Sequence, residues 1–174
     1  LRLFEPDIGS EECQAVLQVL ESGMLSMGAM VETFEDAFAN FLGVRHAIAV
    51  SSATAALHLA HHVMGTETGD EVIVPSLTFV ATANSVVYTG ATPIFADIIG
   101  EQDLNIDPDD VAHRITSRTR GIVVVHYAGY PVDMDRIMHL ADQYGLYVVE
   151  DASHAPGSDY HGKPLGTIGH VGCF

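Results

Sequence analysis

The residues best placed to do chemistry stand close together: Glu150, Asp151 and His154, at the end of the run Tyr147-Val148-Val149. Leu146 to Val149 has the pattern of a strand buried on both faces of a parallel sheet. A carboxylate at the C-terminal end of such a strand lies where open α/β sheets bind their ligands. It stays ionised in a half-buried place only if a cation faces it. A carboxylate facing a protonated ring nitrogen forms a charge-assisted hydrogen bond and holds the proton on that ring. A strand-terminal Asp can equally cap the turn that follows it.

Two further stretches belong with this one. Ser51-Ser52-Ala53-Thr54-Ala55-Ala56 is a turn of small residues between an apolar run and a helical segment. Such a turn points free N–H groups outward at a positive helix end and suits a phosphate. No G-x-G-x-x-G and no Walker glycine-lysine pattern is present, so dinucleotide and P-loop readings are poor. Taken alone, N-cap preference explains these residues without a ligand. In Pro75-Ser76-Leu77-Thr78-Phe79, Phe79 opens a helix, where an aromatic face could cover a flat ring. Taken alone, a Phe in a first helical turn is more often core. A weaker candidate is His58, His61 and His62; His58 and His62 share a helical face, as metal ligands do. No third ligand and no H-E-x-x-H accompany them, so solvated or partly buried histidines are the better reading and no metal is expected. Asp97 reads best as a turn cap. Together, the Ser51–Ala55 turn, Phe79 and Asp151 with His154 describe one ligand carrying a phosphate, a flat aromatic ring and a basic ring nitrogen. That ligand is pyridoxal 5'-phosphate (PLP), an electron sink only while its ring nitrogen is protonated.

Positioning these residues requires a sheet. Ala47–Val50, Glu71–Pro75, Thr92–Asp97, Gly121–Tyr127 and Leu146–Val149 read as strands. Helical segments start at Ser51, about Thr78, Asp107-Pro108 and Asp133, and Gly65, Gly90 and Gly145 mark helix ends. Upstream lie two amphipathic helices. One is capped by Ser10 and ends at Gly23; the other carries Val31, Phe34, Phe38 and Phe41 and ends at Gly43. Residues Met24 to Met30 form a loop between them. Repeated strand-helix units imply an α/β fold, a mainly parallel sheet with helices on both faces.

At 174 residues, with 48% hydrophobic and 17% charged residues, the chain can bury one sizeable core and is not disordered. Its formal net charge of -16 disfavours nucleic acid and anionic membranes as partners. It does not exclude a small anionic ligand held by backbone groups. Cys13 and Cys173 stand at opposite ends and form no motif, which reads as two reduced thiols. Leu1 to Pro6 has no signal-peptide anatomy and no apolar run is long enough to span a bilayer, so a cytoplasmic location is expected. The first residue is not Met, and the chain ends in an incipient strand, His170 to Phe174, so both ends are expected to be cuts in a longer protein.

The order of these motifs resembles the DegT/DnrJ/EryC1/StrS sugar aminotransferases, PLP-dependent enzymes of fold type I. The resemblance is carried by Leu25-Ser26-Met27-Gly28 with Phe34-Glu35, by Ser51 to His58, and by Gly69 to Phe79. Gly90 to Pro93, Val125 to Gly129 and Glu150 to Ala155 with Gly157 continue it, so that it runs through nearly the whole chain. It implies a three-layer α/β/α large domain over residues 46–174, truncated before the catalytic lysine. Residues 1–45 would be N-terminal helices and an active-site loop.

It also implies roles. Backbone N–H groups around Ala53, Thr54 and Ala55 would hold the phosphate, and Phe79 would stack on the pyridine ring. Asp151 would pair with the ring nitrogen, and His154 would pack by the ring or its 3'-oxygen. The Ser26 loop would line the sugar pocket, although Ala29 stands where the family usually has proline. The family's lysine, which holds the cofactor covalently and shuttles protons, would come immediately after Phe174. The one lysine present, Lys163, falls in a Gly/Pro-rich turn and reads as a solvated residue. The implied activity is transfer of an amino group from glutamate or glutamine to a nucleotide-linked keto-deoxysugar by a homodimer, in deoxyaminosugar and polysaccharide biosynthesis; the piece alone is expected to be inactive. A nucleotide-sugar dehydratase, with histidine for the lysine, and a non-catalytic regulatory protein of the same fold are the alternatives.

Overall fold

A computed structural model describes residues 6–174; the segment 1–5, part of the stretch without signal-peptide anatomy, lies outside the described residues. The chain divides into two units, one ending at Ala49 and one running from Val50 to Phe174.

The first unit holds α1 (Ser10–Ser22) and α2 (Ala29–Leu42). Helix α1 starts one residue earlier than a Ser10 cap requires: Gly9 is the cap, and its N–H donates to the Glu12 carboxylate at 2.7 Å. Both helices end at left-handed glycines, Gly23 and Gly43. On α2 the aromatic stripe stacks on itself, with Phe34–Phe38 and Phe38–Phe41 centroids 5.6 and 6.2 Å apart. Ala47 to Val50, expected as a strand, has no regular secondary structure and no strand partner among the described residues. The Ala49 N–H donates instead to the Glu35 carboxylate at 2.8 Å. Four apolar residues suit a strand, but without a neighbouring ladder they form none.

The second unit follows the expected alternation. Its helices are α3 (Ala53–Val63), α4 (Val80–Val87), α5 (Pro108–Arg114) and α6 (Met134–Tyr144). Its main strands are β1 (Glu71–Pro75), β2 (Thr92–Ala96), β5 (Thr119–Val125), β6 (Tyr147–Asp151) and β9 (Val171–Cys173). They form one parallel sheet in the order β2-β1-β5-β6-β9. Two short antiparallel hairpins were not anticipated: β3 (Ile98–Gly100) with β4 (Asp103–Ile106), and β7 (Asp159–Tyr160) with β8 (Lys163–Pro164). The second turns through His161 and Gly162, both at positive φ.

The pleat sends alternate side chains to opposite helices. Ile73, Ile122, Val124 and Val148 pack with Val111 of α5 and Met134, Ile137 and Ala141 of α6. Val72, Val74, Val123, Tyr147 and Val149 pack with Leu57 and Ala60 of α3 and Ala81 and Val86 of α4. The sheet is therefore covered on both faces, which is why its strands read as continuous apolar runs. No described helix is long and apolar enough to cross a membrane.

One polar cluster sits inside the α3 face. Tyr147 fits against Gly121 on the neighbouring strand, where any β-carbon would collide with its ring. Its hydroxyl meets His61 Nδ1 at 2.9 Å and Thr66 Oγ1 at 2.6 Å. Burial pushes the Tyr147 phenol up to about 12. Burial, with a smaller contribution from nearby His58, pushes His61 down to about 4. His61 thus folds neutral, whereas the unfolded chain takes up its proton near pH 6.5. The unfolded state binds more protons between those values, so stability falls as pH drops through that window. From pH 7 to pH 5 the His61 contribution to this loss is about 2 kcal/mol. Denaturant melts at the two pH values check it: His61→Phe should flatten the pH dependence by about that amount.

Candidate active site

The parallel strands deliver their C-terminal ends to one edge of the second unit, with Val125, Asp151 and Cys173 level in register. Helix α4 begins at that edge directly after β1, and α3 also starts there, since His61 near its other end meets Tyr147 at the beginning of β6. Strand β6 ends in two buried acids, Glu150 at 0% and Asp151 at 6% exposure. The pleat separates them: Asp151 faces α3 and α4, and Glu150 faces the other way.

Asp151 is held entirely by neutral donors. Its Oδ1 accepts from the Ser153 hydroxyl at 2.6 Å and the Ser153 N–H at 3.3 Å. Its Oδ2 accepts from the Thr82 hydroxyl at 3.0 Å. Thr82 Oγ1 gives its proton to Asp151, so the Thr78 hydroxyl, 2.7 Å away, must donate to Thr82. Asp151 has no ion-pair partner among the described residues. A carboxylate offers about four lone-pair sites, and these bonds use three, leaving Oδ2 able to accept one more N–H. On the adjacent strand end, burial and the Asp151 charge push the Cys173 thiol up to about 12.

The other expected residues are placed as follows. Phe79 is the N-cap residue of α4 and is 73% exposed, so it is not core. Ser52 caps α3, its hydroxyl accepting from the Ala55 N–H at 3.2 Å. The Ala55 N–H is therefore engaged internally, while those of Ala53 and Thr54, in the first turn, have no acceptor inside the helix. His154 is exposed and makes no bond to Asp151; its Nδ1 accepts from the Ala128 N–H at 3.4 Å, and its ring meets Tyr127 edge-on. In the neutral ring the proton then sits on Nε2. That contact accompanies an unusual backbone, with Ala128 at φ 53°. Ser26 belongs to the first unit, in the exposed turn between α1 and α2, its hydroxyl 4.0 Å from Met24 Sδ. Lys163 lies exposed in the β7–β8 hairpin. His61 points into the core and His58 packs edge-on to Tyr88; no group of three metal-ligating residues occurs among the described residues. Asp97 accepts from the Ile98 N–H, as a turn cap does.

Two features escape a reading of the chain. Thr82 stands three residues after Phe79, but nothing marks its bond to a carboxylate 69 positions on. On the far face, Glu150 accepts from His126 Nε2 at 2.9 Å and from the N–H groups of Gly166, Ile168 and Gly169. His126 is itself fully buried, its Nδ1 accepting from the Val132 N–H at 3.2 Å. Burial drives Glu150 toward the neutral form, but the bonds from His126, Gly169 and Gly166 prevail and hold its carboxyl below the usual range.

The donor set fits PLP. A buried carboxylate lacking a cation, with room for one N–H, suits a protonated pyridine nitrogen. An exposed aromatic ring at the same edge and free N–H groups at a helix start suit its ring and phosphate.

Residues 6–174 match the model of the DegT/DnrJ/EryC1/StrS aminotransferase family. The chain is 50% identical over 169 residues to the spore coat polysaccharide biosynthesis protein SpsC of Bacillus subtilis, covering 97% of this chain and 43% of SpsC. It superposes on an aminotransferase from Psychrobacter cryohalolentis with a TM-score of 0.92 at 44% identity, covering 96% of this chain and 42% of that one. The PLP form of the putative sugar aminotransferase Spr1654 from Streptococcus pneumoniae gives a TM-score of 0.88 at 31% identity, covering 94% and 45%. The chain thus spans less than half the length of these relatives.

The exposure of Phe79 separates a ligand platform from a core residue. Phe79→Ala should change folding stability by no more than about 0.5 kcal/mol, where a buried Phe would cost about 3–5 kcal/mol. Urea melts of the two proteins decide between these.

Proposed function

Because this chain belongs to the DegT/DnrJ/EryC1/StrS aminotransferase family, we propose that it forms the cofactor-binding part of a PLP-dependent sugar aminotransferase. The single observation behind this reading is Asp151: a buried carboxylate at a strand end, met by neutral donors, with one acceptor site left.

Each residue then has a task. Thr82 and Ser153 orient the Asp151 carboxylate, and Asp151 receives the pyridinium N–H and keeps that proton in place by charge. The N–H groups of Ala53 and Thr54 bind the phosphate, with the positive end of α3 behind them; Ala55 contributes through the helix dipole rather than a free donor. Phe79 covers one face of the ring. His154, with Nδ1 engaged by Ala128, has Nε2–H free to donate and would offer it to the ring's oxygen substituent. Bound PLP would supply the electron sink for proton loss at the carbon bearing the amino nitrogen. A lysine outside these residues would hold the cofactor and move the proton.

The amino donor is proposed as glutamate or glutamine, and the acceptor as a keto-deoxysugar carried on a nucleotide. The Ser26 loop would contribute to the sugar pocket, and the working protein would be a cytoplasmic homodimer. These finer assignments rest on the resemblance set out above. The name of SpsC supports a product used in polysaccharide building.

The test is a PLP titration with turnover, run on the full-length protein and its Asp151→Asn variant. The neutral amide cannot hold the pyridinium charge, so cofactor affinity should fall about tenfold or more and turnover by orders of magnitude. Unchanged affinity and near-wild-type turnover in a folded variant would remove Asp151 from the mechanism.

A further inference from the structure

The acid next to Asp151 is fully buried and has no part in the chemistry above. Glu150 nevertheless collects four donors, two on each oxygen. Oε2 takes His126 Nε2–H at 2.9 Å and Gly166 N–H at 2.8 Å; Oε1 takes Ile168 N–H at 2.7 Å and Gly169 N–H. Three of these donors are backbone groups of the single loop that leads into β9.

That loop has no slack. A β-carbon on Gly172 would run into the Gly166 backbone, and one on Gly166 would run into the Phe174 ring. A β-carbon on Gly169 would crowd Val148 O at 3.0 Å and Glu150 Oε1 at 3.3 Å. From this loop β9 runs beside β6, with Glu150 level with Gly172 and Asp151 with Cys173, and the Ala152 N–H donates to Cys173 O at 2.7 Å. The loop's backbone N–H groups therefore converge on a charge, and the strand they lead into flanks Asp151.

We propose that Glu150 is a positioning residue for the Asp151 site: its carboxylate gathers the Gly166, Ile168 and Gly169 N–H groups and so fixes β9, with Cys173, against the end of β6. His126 completes the anchor, since its Nδ1 accepts from Val132 and its Nε2–H can then only donate toward Glu150. The inference deepens the PLP reading of Asp151 and rests on it for its link to the cofactor. The charge is essential and the volume is not. Glutamine has the same shape, but its NH2 would face two N–H donors where an oxygen now accepts them.

Native-state thiol labelling tests this, because the protein carries its own reporter and its own control. Cys173 is buried and Cys13 is exposed. In Glu150→Gln, Cys173 should react with an aromatic disulfide reagent about tenfold faster or more, while Cys13 reacts at its wild-type rate. PLP affinity should fall by a similar factor, about tenfold. Unchanged Cys173 labelling in the folded variant overturns the anchor. Faster labelling with unchanged PLP affinity overturns the positioning role, leaving Glu150 purely structural. If the variant does not fold, amide exchange in the wild-type protein decides. The Gly166, Ile168 and Gly169 amides should exchange as slowly as those of β6, and fast exchange overturns the anchor. A wild-type protein that binds no PLP would sink the reading of Asp151, while the thiol result would still decide whether Glu150 holds β9.

Discussion

Two negative charges buried side by side at the end of one strand set the terms for everything around them. A carboxylate out of water must be answered by donors or by a cation, or it takes up a proton. The pleat of β6 gives Glu150 and Asp151 separate answers on separate faces of the sheet. Glu150 is answered in full, by a histidine and three backbone amides. Asp151 is answered in part, by two hydroxyls and one amide, all neutral. One carboxylate has every acceptor position used, and the other keeps one open.

The rest of the second unit can be read as support for that asymmetry. The apolar strands β1, β5 and β6 bury on both faces and hold β6 between β5 and β9 with little freedom. Helix α4 starts at this edge and sets Thr82 on the Asp151 carboxylate, with Thr78 behind it fixing the direction of the hydroxyl proton. Helix α3 brings its N-terminus to the same edge while its other end is tied down through His61, Tyr147 and Thr66. The loops after β5 and β6 lock to each other where Ala128 donates to His154. Each group of the proposed site is thus held by a contact to the rest of the fold, which is how a site is kept in shape before anything binds.

Much of this was legible in the chain because the signals were local. Short apolar runs marked β1, β5 and β6. Gly23, Gly43 and Gly145 marked helix ends, and Asp107 and Asp133 were correctly placed as caps. What was not legible depended on partners far along the chain. Ala47 to Val50 has a strand's composition but no strand to pair with among the described residues. Phe79 taken alone could not be told from a core residue, and only the fold shows it exposed. The Thr82–Asp151 and His126–Glu150 bonds span 69 and 24 positions, and no periodicity announces them. Asp151 and His154, three positions apart, take different directions: Asp151 ends a strand buried in the sheet, whereas His154 turns outward to the Ala128 loop.

If Asp151 holds a protonated pyridine ring, the ring nitrogen itself reports it. The measurement is the nitrogen-15 chemical shift of ring-labelled PLP bound to the full-length protein, followed from neutral to alkaline pH. With Asp151 at the ring nitrogen, a pyridinium signal should persist well above the pH at which free PLP loses that proton. A bound cofactor showing a neutral pyridine nitrogen at pH 7 would contradict it.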